Sequence, residues 1–240
     1  MIEPDRMNEL LRMCAACPKM CRHVCPTFFA WRSDAPTPHG RALLMHQETV
    51  GAHAMDTRAI EVLYQCLECS HCLTWCKPEV DIAAFVEIKR RDLVRSDKQP
   101  TGILKLVNLV KKTHNPYGED QANRNDWIAT GRTNGTKIFY FTGCTAAYRE
   151  KSIAQDTVTL LEQIGYSVEI SPDEWCCGSP LFRTGNIDLG LEMAKHNVMS
   201  LNQSDADSIL VTCPSTNCCN CCRNARLSLE TSLLLGFKLL

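Results

Sequence analysis

Residues 66–78 read CLECSHCLTWCKP, and residues 14–26 read CAACPKMCRHVCP. The first stretch places Cys66, Cys69, Cys72 and Cys76 in the spacing C-x2-C-x2-C-x3-C, with Pro78 two places on. The second places Cys14, Cys17, Cys21 and Cys25 in the spacing C-x2-C-x3-C-x3-C, with Pro26 directly after. The first spacing is that of bacterial proteins holding 4Fe–4S clusters. Two-residue gaps let three thiolates reach three corners of one cubane from a single tight loop. The fourth cysteine lies a helical turn away and, in two-cluster ferredoxins, serves the other cluster. A proline beyond the last cysteine fixes the backbone there. The expected ligand sets are therefore crossed: Cys25, Cys66, Cys69 and Cys72 around one cluster, and Cys14, Cys17, Cys21 and Cys76 around the other. Zinc ribbons are the alternative. Their two C-x2-C knuckles stand about 15–20 residues apart, whereas 48 residues separate Cys17 from Cys66.

The chain has 240 residues, 16 of them cysteine, with 26 Lys+Arg against 27 Asp+Glu. So many thiols belong either to a secreted disulfide scaffold or to a metal binder in a reducing compartment. The first thirteen residues carry three acids and no apolar run, so no secretory signal is expected. The expected location is cytoplasmic. A formal net charge of −1 leaves no basic surplus for neutralising phosphates, which argues against nucleic acid as a partner. No run approaches the roughly 18 apolar residues of a membrane span, and no G-x-G-x-x-G follows a strand, so no dinucleotide site is expected.

Outward from the two cysteine runs, apolar residues recur at three- and four-residue intervals in RALLMHQETV (41–50), TRAIEVLYQC (57–66), DIAAFVEIKRRDLVR (81–95) and GILKLVNLVKK (102–112). Those stretches predict helices. Residues 115–135 are rich in Asn, Asp, Gly and Thr and read as a linker, with Trp127 and Ile128 available to dock on a neighbouring surface. Beyond it the period changes. KIFYFTG, YSVEI and DSILVTC read as strands, and EKSIAQDTVTLLEQIG and NIDLGLEMAKHNVMSLNQS as the helices between them. The expected architecture is a helical ferredoxin domain over residues 1–114 and, over 136–240, a small α/β domain with a parallel sheet. Cys144 follows the first strand, Cys176 and Cys177 the second, and Cys213 the third. Loops beyond the carboxyl ends of parallel strands form the ligand crevice, so these cysteines are candidate metal ligands. Lys19, Arg22 and His23 are candidates for tuning the cluster nearest them by charge or N–H donation.

At this point the sequence resembles a known group. Two ferredoxin-like runs followed by a Cys…CCG…Cys region look like the iron–sulfur subunits of the heterodisulfide reductase type, a group that includes those of glycolate oxidase and anaerobic glycerol-3-phosphate dehydrogenase. CPTFFAWRSDAPTPHGRALL (25–44) resembles the segment after that family's first cluster, where an arginine commonly takes the place of His39; CKPEVDIAAFVE (76–87) resembles the segment after its second. In the family's cysteine-rich domain a CCG stands between a preceding Cys and a following C-x2-C. Here 31 residues lie between Cys144 and Cys176 and 34 between Gly178 and Cys213, but Thr216 occupies the last cysteine position, with Cys218 the nearest substitute. The resemblance implies a further iron–sulfur cluster or a zinc held by Cys144, Cys176, Cys177, Cys213 and Cys218. It also implies two such domains, so a chain ending after one is expected to be C-terminally incomplete. The implied function is an electron-transfer subunit of an anaerobic-type oxidoreductase complex. Its implied partners are a flavin dehydrogenase or reductase subunit and, at the inner face of the cell membrane, a cytochrome b. A stand-alone ferredoxin-like carrier and a zinc-binding regulatory module are the competing expectations.

Overall fold

The structure, a computed structural model, describes residues 3–128, 135–213 and 238–239. The chain divides into two compact units: Met1–Ile103 with Arg183–Gly185, and Leu104–Phe182 with Asn186–Leu240.

The first unit is helical. Helices α1 (Pro4–Ala15), α2 (Pro26–Trp31), α3 (Pro38–Thr49), α4 (Thr57–Tyr64), α5 (His71–Thr74) and α6 (Ile82–Arg95) follow one another in it. Three of them start where side-chain chemistry dictates. Thr37 accepts a hydrogen bond from the Gly40 N–H at 3.2 Å, Asp56 from Ala59 at 2.8 Å and Asp81 from Ala84 at 3.1 Å. Each satisfies a backbone donor that the first turn leaves over, and Pro38 at the head of α3 gives up none. Gly40 must lack a side chain, because a Cβ there would stand 2.3 Å from the carbonyl oxygen of Ala35 and 2.5 Å from that of Asp34. The core gathers Leu11, Ala42, Met45, Ile60, Leu63, Phe85 and Val86, and Cys66, Cys72 and Cys76 pack against it. Helix α1 carries a helical period, with Met7, Leu10, Leu11 and Cys14 on one face toward the core. Packing against α3 orders it, with Leu11 wholly buried.

In the second unit a parallel sheet has the order β2-β1-β3-β4, built from β1 (Thr136–Phe141), β2 (Tyr166–Glu169), β3 (Ser208–Val211) and the two-residue β4 (Lys238–Leu239). Helices α7 (Thr101–Thr113), α8 (Gly143–Tyr148), α9 (Lys151–Gln163), α10 (Ser179–Arg183) and α11 (Ile187–Asn202) complete the element list, α7 and α10 each crossing the boundary between units. The β-α-β-α-β order expected of this region is the order found. Strand β1 is central, and Ile138, Phe139, Tyr140 and Phe141 are all buried, as a strand covered on both faces requires. Tyr140 packs on one face with Trp127, Ala146, Ala154 and Leu210. Phe139 and Phe141 pack on the other with Ala206, Leu201 and Ile209.

Residues 115–128 belong to this unit. Asn115 organises them: its amide nitrogen donates to the carbonyls of Thr113 and Glu119, and its oxygen accepts from the N–H groups of Tyr117 and Glu119. Trp127 is buried, its ring N–H bonded to the Arg124 carbonyl at 2.8 Å. Among the described residues no helix is long and apolar enough to cross a membrane.

Candidate functional site

The first unit brings its two cysteine runs together. Cys14 sits in the last turn of α1, Cys25 caps α2, and Cys72 lies in α5. Glu68 and Ser70, on either side of Cys69, take left-handed backbone angles with φ of 50° and 54°. Such angles cost a non-glycine residue on the order of 1 kcal/mol, and here they turn the chain sharply between successive thiols. One cavity is lined by Cys25, Cys66, Cys69 and Cys72, together with Thr27, Arg41, Leu67, Ser70 and Ile82. No disulfide links the twelve described cysteines.

Electrostatics place thiols of the two runs close to one another without dividing them into two sets. Burial pushes the Cys14 thiol up to about 12, and the neighbouring thiols of Cys21, Cys76, Cys17 and Cys72 push it the same way. Burial pushes Cys72 up to about 12 as well, reinforced by Cys21, Cys66, Cys69 and Cys25. Burial also raises Cys66, against the opposing pull of the Arg41 guanidinium. Without a metal, then, these thiols hold their protons at neutral pH; metal binding has to displace them. The Val80 N–H donates to the Cys76 sulfur at 3.3 Å, and the Thr27 hydroxyl lies 3.0 Å from the Cys25 sulfur. Lys19 and Arg22 both pair with Asp34, at 3.2 and 3.3 Å, and His23 packs edge-on against Trp75.

Two buried arginines escaped the sequence reading. Arg41 is 2% exposed and bonds the Val62 carbonyl and the Thr27 hydroxyl. Arg90 forms a buried ion pair with Glu68 and donates to the Leu63 and Cys66 carbonyls at 2.7 Å each. Nothing in their local sequence marks them, since a lone arginine on an amphipathic helix ordinarily faces water.

In the second unit the parallel register sets Phe141 beside Val211. The segments leaving β1 and β3, with Cys144 in the first turn of α8 and Cys213 just past β3, therefore emerge on the same edge. Cys176 is 1% exposed. Hydrogen bonding with the Cys144 and Cys177 thiols, then burial, raises it well above its usual range, so those three sulfurs are neighbours. Cys213 is half-buried at the end of β3, and Cys218 lies outside the described residues. Gly178 has φ of +81°, and a Cβ there would meet the Gly190 carbonyl oxygen and the Phe182 ring, each at 2.9 Å. That accounts for the glycine of the CCG triplet.

A fully buried pair, Arg124 and Glu174, ties the cysteine-bearing loops together. Glu174 accepts from the Thr142 and Gly143 N–H groups at 2.9 Å each, while Arg124 reaches the Cys144 sulfur at 3.9 Å. Burial works against the Arg124 charge, but Glu174 more than offsets it and holds the guanidinium above its usual range. Beside them Trp175 is sandwiched between His114 at 3.5 Å and His196 at 3.7 Å, all three rings nearly parallel. The Cys176 N–H bonds the His114 carbonyl at 2.8 Å. Neither Arg124 nor Glu174 could be found from spacing, because they stand 50 positions apart.

Among the described residues no three His, Cys, Asp or Glu side chains form a group able to hold a metal ion. A tetrahedral zinc with bonds of about 2.3 Å needs its sulfurs about 3.8 Å apart. Four thiols set around a cavity suit a cluster whose corners each take one sulfur.

Residues 138–222 match the CCG cysteine-rich domain family. The chain is 31% identical over 226 residues to a subunit of the dihydromethanophenazine:CoB–CoM heterodisulfide reductase of Methanosarcina barkeri, an alignment covering 85% of this chain and 55% of that one. It is 27% identical over 155 residues to a subunit of the fumarate reductase (CoM/CoB) of Methanothermobacter marburgensis, covering 64% of this chain and 31% of that one. To the probable glycolate oxidase iron-sulfur subunit of Bacillus subtilis it is 21% identical over 257 residues, covering 86% of this chain and 57% of that one. The chain thus spans about half the length of the first of these relatives. No solved structure matches it. Residues 138–222 thus carry the CCG cysteine-rich domain, and along most of its length the chain is homologous to a heterodisulfide reductase subunit and a glycolate oxidase iron–sulfur subunit.

Proposed function

We propose that this chain is an electron-transfer subunit of an oxidoreductase complex and holds two 4Fe–4S clusters. Cys25, Cys66, Cys69 and Cys72 bind one; Cys14, Cys17, Cys21 and Cys76 bind the other. The observation that carries this reading is the cavity whose four cysteines come from both runs. The second set is carried by the spacing of its run, C-x2-C-x3-C, and by the return of Cys76 to the same core as Cys14. Bound there, such clusters take up and release one electron at a time, at potentials governed by charge, burial and hydrogen bonds to sulfur. The protein supplies those controls: the Val80 N–H on Cys76 and apolar walls that exclude water.

In the second unit Cys144, Cys176, Cys177 and Cys213, with Cys218, hold a further iron–sulfur cluster that exchanges electrons with the first two. The names of the relatives support an oxidoreductase setting; the redox partners we propose for it are a flavin dehydrogenase or reductase subunit and a cytochrome b, at the cytoplasmic face of a membrane.

Protein purified without oxygen decides the matter. About eight iron and as much acid-labile sulfide per chain are expected, more if the CCG site is filled; colourless protein, or zinc in place of iron, rejects the reading. Cys72→Ser and Cys25→Ser should abolish the reversible EPR signal of the same cluster. Loss of different signals would show the ligand sets are not crossed.

A further inference from the structure

The charges around the cavity of Cys25, Cys66, Cys69 and Cys72 do not balance. Glu68 is already matched by Arg90. Arg41 stands on the cavity wall, and no acidic side chain pairs with it among the described residues. Its partners are neutral: Nε donates to the Val62 carbonyl at 3.1 Å and a terminal nitrogen donates to the Thr27 hydroxyl at 3.2 Å. Arg90 lies near enough to oppose its charge. A guanidinium cannot shed its proton to escape burial, and an unmatched buried cation is strongly disfavoured. The groups left to balance it are the thiols of the cavity. Through Thr27, which lies 3.0 Å from the Cys25 sulfur, Arg41 stands one side chain away from a thiol of the cavity.

A 4Fe–4S core on four thiolates is net anionic and gains a further negative charge when reduced. The cations beside the other cysteine set, Lys19 and Arg22, are part-exposed and share the one carboxylate of Asp34, where solvent screens them. We propose that Arg41 is the built-in counter-cation of the cluster on Cys25, Cys66, Cys69 and Cys72, and that it raises the reduction potential of that cluster alone. The proposal rests on the two-cluster reading above and adds to it the residue that makes the two centres unequal.

The test uses the full chain, purified and reconstituted anaerobically with iron and sulfide, as wild type, Arg41→Gln, Arg41→Lys and the exposed-charge control Arg58→Gln. Iron and sulfide are counted first, and both midpoint potentials are then read by EPR-monitored titration. Arg41→Gln with full iron should lower one midpoint only, that of the signal Cys72→Ser removes. Arg41→Lys should stay nearer wild type, and Arg58→Gln should move neither. Full iron with unchanged midpoints in Arg41→Gln overturns the proposal. If the Gln variant cannot retain its cluster, the Lys variant decides: retention supports a role for charge, and equal loss overturns it. Wild-type protein that takes up no iron overturns the cluster reading itself, and this proposal with it.

Discussion

Arg124 and Glu174 show how much a single charge matters when both partners are 1% exposed. Glu174 is met by one guanidinium and two backbone N–H groups, so its net cost of burial is met on every side. Glu174→Gln leaves Arg124 buried without a counter-charge and is expected to cost the full chain about 3–5 kcal/mol in urea unfolding. Adding Arg124→Met to that variant should recover part of the loss, because the stranded cation goes with it; strict additivity of the two losses would mean the side chains do not act as a pair. Gly178→Ala tests the CCG turn in the same way. With φ of +81° and two atoms within 2.9 Å of the new methyl group, it should lower stability by more than about 1 kcal/mol. An unaltered denaturation midpoint would contradict the crowding.

At the scale of elements, α6 depends on its cap. Asp81→Ala removes the acceptor for the Ala84 N–H and should cost about 1 kcal/mol, while Asp81→Asn should cost far less. Strand β1 and the loop before β3 are tied by Lys137 and Asp205 at 2.5 Å, both largely exposed. The Lys137 hydrogen bond holds the Asp205 carboxyl below its usual 3.8. Because the folded value is the lower one, that contribution is present above pH 3.8 and is lost as the pH falls through the depressed value. Asp205 in turn raises Lys137 above its usual 10.5, so its share is complete below that pH and disappears as the pH rises through the raised value. Wild type and Asp205→Asn should therefore differ at neutral pH and converge in strong acid; a gap independent of pH would exclude the pair as its cause. The elements most visible in the sequence were those with a strong period of their own: α3, α4, α6, α9, α11 and the three longer strands. Residues 115–128 were not, because their order comes from tertiary contacts of Asn115 and Trp127 in the α/β unit; helix α1 has a helical period, Met7, Leu10, Leu11 and Cys14, masked by the cysteine run it leads into. The candidate thiols were legible because metal chemistry ties them to short, repeated spacings. Arg41, Arg90 and Arg124 were not, because only the folded chain shows that they are buried.

At the scale of the whole molecule, stability and metal content are expected to be linked in the helical unit. Cys66, Cys72 and Cys76 pack against its apolar core, so a centre bound to them braces the same residues that hold α1, α3 and α6 together. Stripping iron anaerobically with a chelator should lower the thermal midpoint of the full chain, and reconstitution should restore it. Equal midpoints with and without iron would show that the folded unit binds no centre at those thiols. The pairing of Cys25 with Cys66, Cys69 and Cys72 around one cavity also has a consequence for biogenesis. A nascent chain that has passed Cys25 but not reached Cys72 owns one wall of the chamber and no more. Cofactor loading must accordingly wait until the ribosome has delivered both segments, and a frameshift or proteolytic cut between them would abolish the chamber rather than leave half of it usable.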